Sequence, residues 1–309
     1  MNLSNGLPIA AQILVTAPTG LVALNNLVVD GSNNQITGCA PILIGVYYQN
    51  ASGSLGQVAV LNEALSPALN GCQSGDGVYV QSGGGGTSTV SVLKTHVQNY
   101  QKNGITGNGL GTTLTVTSST VVGQGPTTGA AENGIQIGFG SKGTVALNTV
   151  SDNVYSPGTA GASGILVYES PNVVVKGNAV TNTQYGIVFV TDLSGSSDGG
   201  MVLNNKVVAT HLFDGLDMCN SNNTITGNTV ISSDESGIHL DSTCGGTGNS
   251  SIVNGNTLNV ACAGILNGGI GNNIGLNTYT NVTNTVLASD VCSTPLLSRN
   301  KNRRPQPVR

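Results

Sequence analysis

Acidic residues and a histidine recur at matching positions after two glycines in the C-terminal third of the chain. Asp217 is the second residue after Gly215, and His239 is the second after Gly237. If the segments after these glycines stack as strands, the Cα atoms of Asp217 and His239 lie about 5 Å apart, and Asp241 lies about 8 Å from Asp217. An inverting glycosidase uses two carboxylates about 6.5–9.5 Å apart, one as acid and one as water-activating base. We therefore take Asp217 and Asp241 as a candidate catalytic pair, assisted by His239.

Other interpretations of these residues stay open. An Asp and a His facing each other on neighbouring strands form an ordinary favourable surface pair. Oxygen ligands for Ca²⁺ could come from Asp214, Asp217, Glu235 and Asp241, and His211 with His239 could add nitrogen for a transition metal. None of the spacings is diagnostic of a metal site. We therefore assign no metal or cofactor, with Ca²⁺ as the alternative.

The residues that follow each glycine also predict a binding face. In a strand, the first and third residues after the glycine point inward, and the second and fourth point outward. This pattern places three tyrosines and a glutamine outward, where tyrosine rings could stack on sugars. The predicted ligand-binding residues are Tyr47, Tyr79, Tyr168 and Gln136.

The strands that would position these residues belong to a repeat. One unit runs from Asn223 through Asn228 to the segment Gly237–Asp241, and related copies precede and follow it. Successive equivalent asparagines are separated by 30, 27, 23, 28 and 21 residues. Asparagines stacked at one bend can hydrogen-bond their neighbours above and below. The predicted ladder consists of Asn148, Asn178, Asn205, Asn228, Asn256 and Asn277, and in earlier coils Glu63, Thr95 and Ser119 replace asparagine.

Composition and periodicity agree on the fold class. The chain has 309 residues, with 45 glycines and only 8% charged residues, and apolar residues alternate within each unit. Alternation of this kind is typical of short strands, and no segment carries a helical stripe. We predict an all-β, single-stranded, right-handed parallel β-helix of about ten coils, roughly 50 Å long. Its predicted parts are a lead-in or partial cap (residues 1–20), the solenoid (21–292) and a basic, disordered tail (293–309).

The repeat resembles a known group. The segments 225–230 and 236–240 (Ile-Thr-Gly-Asn-Thr-Val and Ser-Gly-Ile-His-Leu) resemble the parallel β-helix repeats of the pectate-lyase-like superfamily over roughly residues 22–292. Residues 100–109 and 132–137 are similar to bacterial right-handed β-helix repeat proteins. The resemblance implies the fold, and it implies that substrate would lie along the outer face of one sheet. The Asn-Thr-Asp, Asp-Asp and Gly-His-Gly motifs of pectin hydrolases are absent.

Charge and cysteine content restrict the partners and the compartment. Before Arg299 the chain has five lysines, no arginine and all 14 acids, which leaves this part with a net charge of −9. A nucleic-acid ligand is therefore not expected, and a polyuronate substrate is disfavoured. No apolar run is long enough to span a membrane. Six cysteines and the low charge favour a secreted, periplasmic or cell-surface location.

The cysteines also predict crosslinks between coils. Cys39 and Cys72 precede Gly45 and Gly77 by six and five residues, so we expect them to pair. A second predicted pair is Cys219 with Cys244. By contrast, Cys262 and Cys292 fall on opposite sides of their strands and fit a disulfide poorly.

These observations leave several functions open. We expect a secreted or cell-surface scaffold that binds a polysaccharide or cell-surface glycan or acts structurally. The alternative is a glycoside hydrolase that uses the acids on the outer face, and a phage-type fibre is a third possibility. The sequence does not define the oligomeric state.

Overall fold

The chain folds into three parallel sheets that wind around one apolar core. The computed structural model describes residues 6–16, 19–156, 158–192, 195–289 and 292. Each coil contributes one strand to each sheet, so neighbours in a sheet are three strands apart in sequence. The structure is a right-handed parallel β-helix of ten coils plus a closing strand, which confirms the predicted fold class.

We number the sheets in the order in which a coil visits them. The eleven strands of the first sheet are Ile9–Val15, Ile42–Gln49, Asp76–Gln81, Asn103–Asn108, Asn133–Gly138, Ser163–Tyr168, Tyr185–Val190, Leu216–Cys219, Ser236–Leu240, Ala263–Asn267 and Asn284–Leu287. The ten strands of the second sheet are Leu21–Asn25, Ser52–Gly56, Ser88–Leu93, Thr112–Thr117, Lys142–Ala146, Val174–Lys176, Met201–Leu203, Thr224–Thr226, Ile252–Asn254 and Asn273–Ile274. The ten strands of the third sheet are Val28–Asp30, Ala59–Leu61, His96–Gln98, Thr120–Thr127, Thr149–Tyr155, Ala179–Thr183, Lys206–Thr210, Thr229–Ser233, Thr257–Asn259 and Thr278–Thr280.

The structure tests the predicted lead-in (residues 1–20) but not the predicted tail (293–309). Strand Ile9–Val15 lies within the predicted lead-in but pairs in parallel with Ile42–Gln49, so it forms part of the first sheet. A single 3₁₀ turn, Pro67–Leu69, occupies one of the turns between the third and first sheets. The predicted tail, 293–309, lies outside the described residues.

The core is a stack of aliphatic columns. One column of the first sheet runs through directly paired residues whose side chains are fully buried: Val46, Val78, Ile105, Ile135, Ile165, Ile187, Leu216, Ile238 and Ile265. Each such side chain contributes about 1.5–3 kcal/mol when it leaves water. Because every coil buries its core against the next, a single coil is not stable without its neighbours.

The turns between the second and third sheets carry the asparagine column. Asn178 Oδ1 accepts hydrogen bonds of 2.9 and 3.0 Å from the backbone N–H and side-chain Nδ2 of Asn148. The same double contact repeats upward through Asn205, Asn228, Asn256 and Asn277. The residue before five of the six asparagines has positive φ. Three of these residues are glycines, which adopt it without strain (Gly177 at 65°, Gly227 at 71° and Gly255 at 67°), and the other two are Leu147 and Asn204.

The column weakens toward the N-terminal end, as expected from its smaller side chains, although one predicted member is wrong. Ser119 N–H donates to Asn148 Oδ1, and Thr95 N–H donates to Ser119 Oγ. The next position belongs to Val58, whose carbonyl accepts from the N–H of His96, rather than to Glu63. Glu63 instead follows strand Ala59–Leu61, at the turn leading to the first sheet, where its side chain is buried.

The repeated glycines form a second column whose cause is crowding. A Cβ on Gly215 would lie 2.3 Å from Val230 Cγ1 and 2.8 Å from the carbonyl oxygen of Gly237. Gly186 meets the equivalent atoms of Val207 and Gly215 at 2.4 and 2.3 Å. Neither glycine has positive φ. Missing side-chain volume, rather than a special backbone bend, therefore explains the residue type.

Candidate functional site

The predicted acid–histidine group comes together on the first sheet. Asp217 is the direct parallel partner of His239, with Val188 on the preceding strand and Leu266 on the following one. His239 Nδ1 lies 3.2 Å from Asp214 Oδ2, and His239 Nε2 lies 3.9 Å from Asp241 Oδ1. One imidazole therefore lies between two carboxylates and beside a third.

Neighbouring groups hold two of these carboxylates in place. Asp214 Oδ1 accepts from the backbone N–H of Ser236 at 3.0 Å and from its Oγ at 2.5 Å. Asp241 Oδ1 accepts from the N–H and Oγ1 of Thr243 at 2.6 and 2.7 Å. By contrast, Asp217 Oδ1 is buried without a hydrogen-bond partner. Asp214 and Asp241 are thus oriented acceptors, whereas Asp217 is a desolvated carboxyl group.

The environment raises the pKa of both Asp217 and His239, for different reasons. Burial raises the pKa of Asp217 well above its ordinary value, and Asp241 raises it further while His239 opposes the shift. Burial by itself lowers the pKa of His239, but Asp214 and then Asp241 and Asp217 outweigh that effect and raise the pKa to about 10. The group therefore places a carboxyl group whose pKa is raised beside an imidazole whose pKa is also raised, an arrangement that favours acid–base chemistry.

The prediction that this face is open is wrong. The exposed fraction is 6% for both Asp217 and Asp241, and the His239 side chain keeps 12%. Alternation along a strand shows which side chains leave the core, but it does not show whether the outer face itself is covered. This outer face is buried along most of its length.

The predicted aromatic and glutamine platform is wrong for the same reason. Tyr47 and Tyr79 are completely buried, with ring centroids 5.5 Å apart in an edge-to-face contact. Gln136 is buried and donates to Asn108 Oδ1 at 2.9 Å. Tyr168 is buried and its hydroxyl donates to Asp192 Oδ2 at 2.5 Å. None of these four side chains presents a surface on which a sugar could stack.

All three pairs of cysteines form disulfides. The Cα atoms are 5.1 Å apart in Cys39–Cys72 and 5.8 Å apart in Cys219–Cys244. Cys262–Cys292 is also bonded, with Cα atoms 5.7 Å apart, so the expectation of a poor fit is wrong. Cys262 directly precedes strand Ala263–Asn267, and Cys292 lies beside it although it follows the last strand of the first sheet.

An open groove that the sequence reasoning missed lies on the outer face of the second sheet. Its volume is about 610 Å³. Thr113 pairs with Lys142 and Thr115 with Thr144 across two strands that line it. The remaining lining residues are Leu110, Gly140, Ser141, Gly143, Pro171, Asn172 and Val174. The outward Thr-x-Thr spacing in Thr112–Thr117 is the signal that could have indicated it.

Residues 32–209 match the family model described as "Periplasmic copper-binding protein (NosD)", which covers more than half of the chain. The chain belongs to the NosD family. The matched stretch contains one histidine, His96, which lies on the third sheet and contacts Gln98. Its methionine, Met201, lies on the second sheet four coils away, and its two cysteines are bonded to each other. The described residues of the NosD match therefore do not gather the imidazole and sulfur ligands that copper prefers.

Solved structures similar to this NosD-family chain share its fold. A GH136 lacto-N-biosidase from Eubacterium ramulus has a TM-score of 0.54 at 14% identity, covering 86% of this chain and 49% of that one. The periplasmic alginate epimerase AlgG has a TM-score of 0.46 at 12% identity, covering 78% and 62%. The chain thus spans about half the length of the lacto-N-biosidase. No curated protein sequence matches it significantly, and among the described residues no helix could cross a membrane.

Proposed function

We propose that this chain is an exported β-helix scaffold that binds a neutral glycan in the groove of the second sheet. The groove is the observation that carries the proposal, because it is open whereas the predicted platform on the first sheet is buried. The hydroxyls of Thr113, Thr115 and Thr144 could hydrogen-bond sugar hydroxyls. Leu110 and Val174 offer apolar contact to the C–H face of a ring.

Charge and crosslinking support the other parts of the proposal. The part of the chain before Arg299 carries a net charge of −9 and no arginine, which disfavours a polyuronate, and Lys142 is the one charged residue among those that line the groove. Three disulfides suit an oxidising compartment. The family description as periplasmic points to the same location.

Affinity electrophoresis through gels containing neutral or anionic polysaccharides tests binding. We expect at least one neutral polysaccharide to slow the protein, and Thr115→Trp, which fills the groove, to abolish the effect. Thr229→Trp introduces the same bulk at an outward threonine of the third sheet and should leave binding intact. Lack of retardation by every neutral polysaccharide, or equal behaviour of the two variants, would refute the proposal.

A second candidate is glycoside hydrolysis at the Asp217–His239–Asp241 group. The observation in its favour is that the His239 imidazole lies between the oriented carboxylates of Asp214 and Asp241 and beside Asp217, whose pKa is raised. Release of reducing sugar that disappears in both Asp217→Asn and Asp241→Asn, but persists in Asp234→Asn, would support it. Glycan binding without turnover would instead leave the scaffold function.

A further inference from the structure

The Cys219–Cys244 disulfide lies among potential metal ligands. The two Sγ atoms and a carboxylate oxygen of Asp241 all lie within 4.8 Å of one another. Cys219 ends strand Leu216–Cys219, whereas Asp241 and Cys244 follow the next strand of the first sheet, Ser236–Leu240. Among the described residues, neither of the other two disulfides belongs to such a group.

His239 lies beside the carboxylate of this group but is not one of its three members. Its Nδ1 is 3.2 Å from Asp214 Oδ2, and its Nε2 is 3.9 Å from Asp241 Oδ1. Carboxylates that bind a metal are commonly held in place by such outer partners. Asp214 is itself held by Ser236, and Asp241 by Thr243, so the supporting contacts are already in place.

We propose that reduction of the Cys219–Cys244 disulfide creates a site for a thiophilic divalent ion such as Zn²⁺. The ligands are the thiolates of Cys219 and Cys244 and a carboxylate oxygen of Asp241, with solvent in the fourth position. A dithiol reductant supplies two electrons and two protons, which break the S–S bond and leave two thiols while the reductant becomes a disulfide. On binding, each thiol releases its proton to solvent.

The required movement is small. Zn–S and Zn–O distances of about 2.3 and 2.0–2.2 Å imply that tetrahedral ligand atoms lie about 3.3–3.8 Å apart. The sulfur and oxygen atoms already lie within 4.8 Å of one another, so shifts of about 1–2 Å suffice. Cys244 lies on a glycine-rich turn with Gly245 and Gly248 at φ of 111° and 60°, and its side chain is partly exposed to a reductant.

Cobalt binding tests the inference, because Co²⁺ substitutes for Zn²⁺ and shows thiolate charge-transfer absorption. The intact protein is reduced with dithiothreitol, desalted without oxygen and titrated with Co²⁺. We expect one ion per chain and a charge-transfer band in the reduced protein, with no band in the oxidised protein. Addition of Zn²⁺ should remove the band.

Variants of the proposed ligands, with matched controls, test whether Co²⁺ binds at Cys219 and Cys244. Cys219→Ser/Cys244→Ser should lose the band, whereas Cys39→Ser/Cys72→Ser, which removes another disulfide, should keep it. Asp241→Asn leaves the disulfide in place and should weaken binding at least tenfold after reduction. Circular dichroism checks that each variant is folded. A reduced wild type that binds no Co²⁺, or a band retained without Cys219 and Cys244, would overturn the proposal.

Discussion

At the residue scale, each ladder asparagine serves several backbone groups at once. Asn205 Nδ2 donates to the carbonyl of Val175 at 2.9 Å and to Asn228 Oδ1 at 3.0 Å. Its Oδ1 accepts from the backbone N–H of Asn178 at 2.9 Å. These groups are buried, so no solvent replaces a lost partner. The ladder therefore stabilises the turns of adjacent coils together.

Loss of one ladder side chain should lower the free energy of unfolding substantially. Asn205→Ala leaves at least one backbone donor and one carbonyl buried without their partner, and each costs about 1–3 kcal/mol. We expect the free energy of unfolding in urea to fall by about 3 kcal/mol. Asn273→Ala, at an exposed position of the second sheet, should change it by less than about 0.5 kcal/mol. Equal effects of the two substitutions would contradict the role of the ladder.

A buried glutamate makes stability depend on pH. Burial, and then Asp30 and Asp76, raise the pKa of Glu63 to about 8 from its ordinary 4.5. Its two carboxylate oxygens have no hydrogen-bond partner. The folded state therefore binds this proton more tightly than the unfolded state. Its contribution to stability is fully present below about pH 4.5 and is lost as pH rises toward 8.

Replacement of Glu63 should remove that pH dependence. Relative to wild type, Glu63→Gln should gain about 2–4 kcal/mol in free energy of unfolding between pH 5 and pH 8. Urea unfolding at several pH values measures the change. Thr95→Ala alters a buried polar residue that does not titrate, and its effect should stay constant over the same range. A constant difference between wild type and Glu63→Gln would show that Glu63 is ionised in the folded state.

At the element scale, the glycine column sets how closely the first and third sheets approach. Gly215→Ala places a methyl group 2.3 Å from Val230 Cγ1 and 2.8 Å from a backbone oxygen. We expect a loss of about 3 kcal/mol in urea unfolding, because overpacking typically costs about 1–3 kcal/mol and backbone cannot move freely here. Gly71→Ala meets no atom within 4 Å and should be nearly neutral.

A second substitution tests the cause. If Val230 crowds the new methyl group, Gly215→Ala/Val230→Ala should be less destabilised than the sum of the two single changes. Additive effects would instead indicate that the contact with the Gly237 carbonyl dominates.

The sequence predicted which side chains of a strand point into the core, but it did not predict whether the opposite face of the strand is exposed to solvent. Alternation placed Ile187 and Leu216 in the core and Tyr79 and Asp217 on the other face. The pattern cannot show that the second face is also buried, since burial depends on residues distant in sequence. For the same reason the groove near Thr115 was missed: it forms between strands of neighbouring coils.

At the scale of the whole molecule, stability should vary along the stack. Each coil contacts only its neighbours, so an end coil has one partner and an internal coil has two. Val202 is fully buried at the centre of strand Met201–Leu203, whereas strands Asn273–Ile274 and Thr278–Thr280 carry no fully buried side chain.

Hydrogen exchange should reveal this gradient. We expect amides of Val174–Lys176 and Met201–Leu203 to exchange at least tenfold more slowly than those of Asn273–Ile274 and Thr278–Thr280. Peptide-level exchange followed by mass spectrometry measures the difference. Uniform protection along the chain would mean that the coils unfold as one cooperative unit.

The sequence alone determined the winding. The spacing of Asn178, Asn205 and Asn228 and the recurring Gly-Ile pairs encode the coil length, because stacking repeats the same local environment in each coil. It also brought Asp217 next to His239, since strand register follows from the repeat. Only the tertiary structure decided which faces are accessible, which carboxylate lacks a partner and that Cys292 returns to Cys262. Those properties depend on contacts between segments that are distant in sequence, which periodicity does not encode.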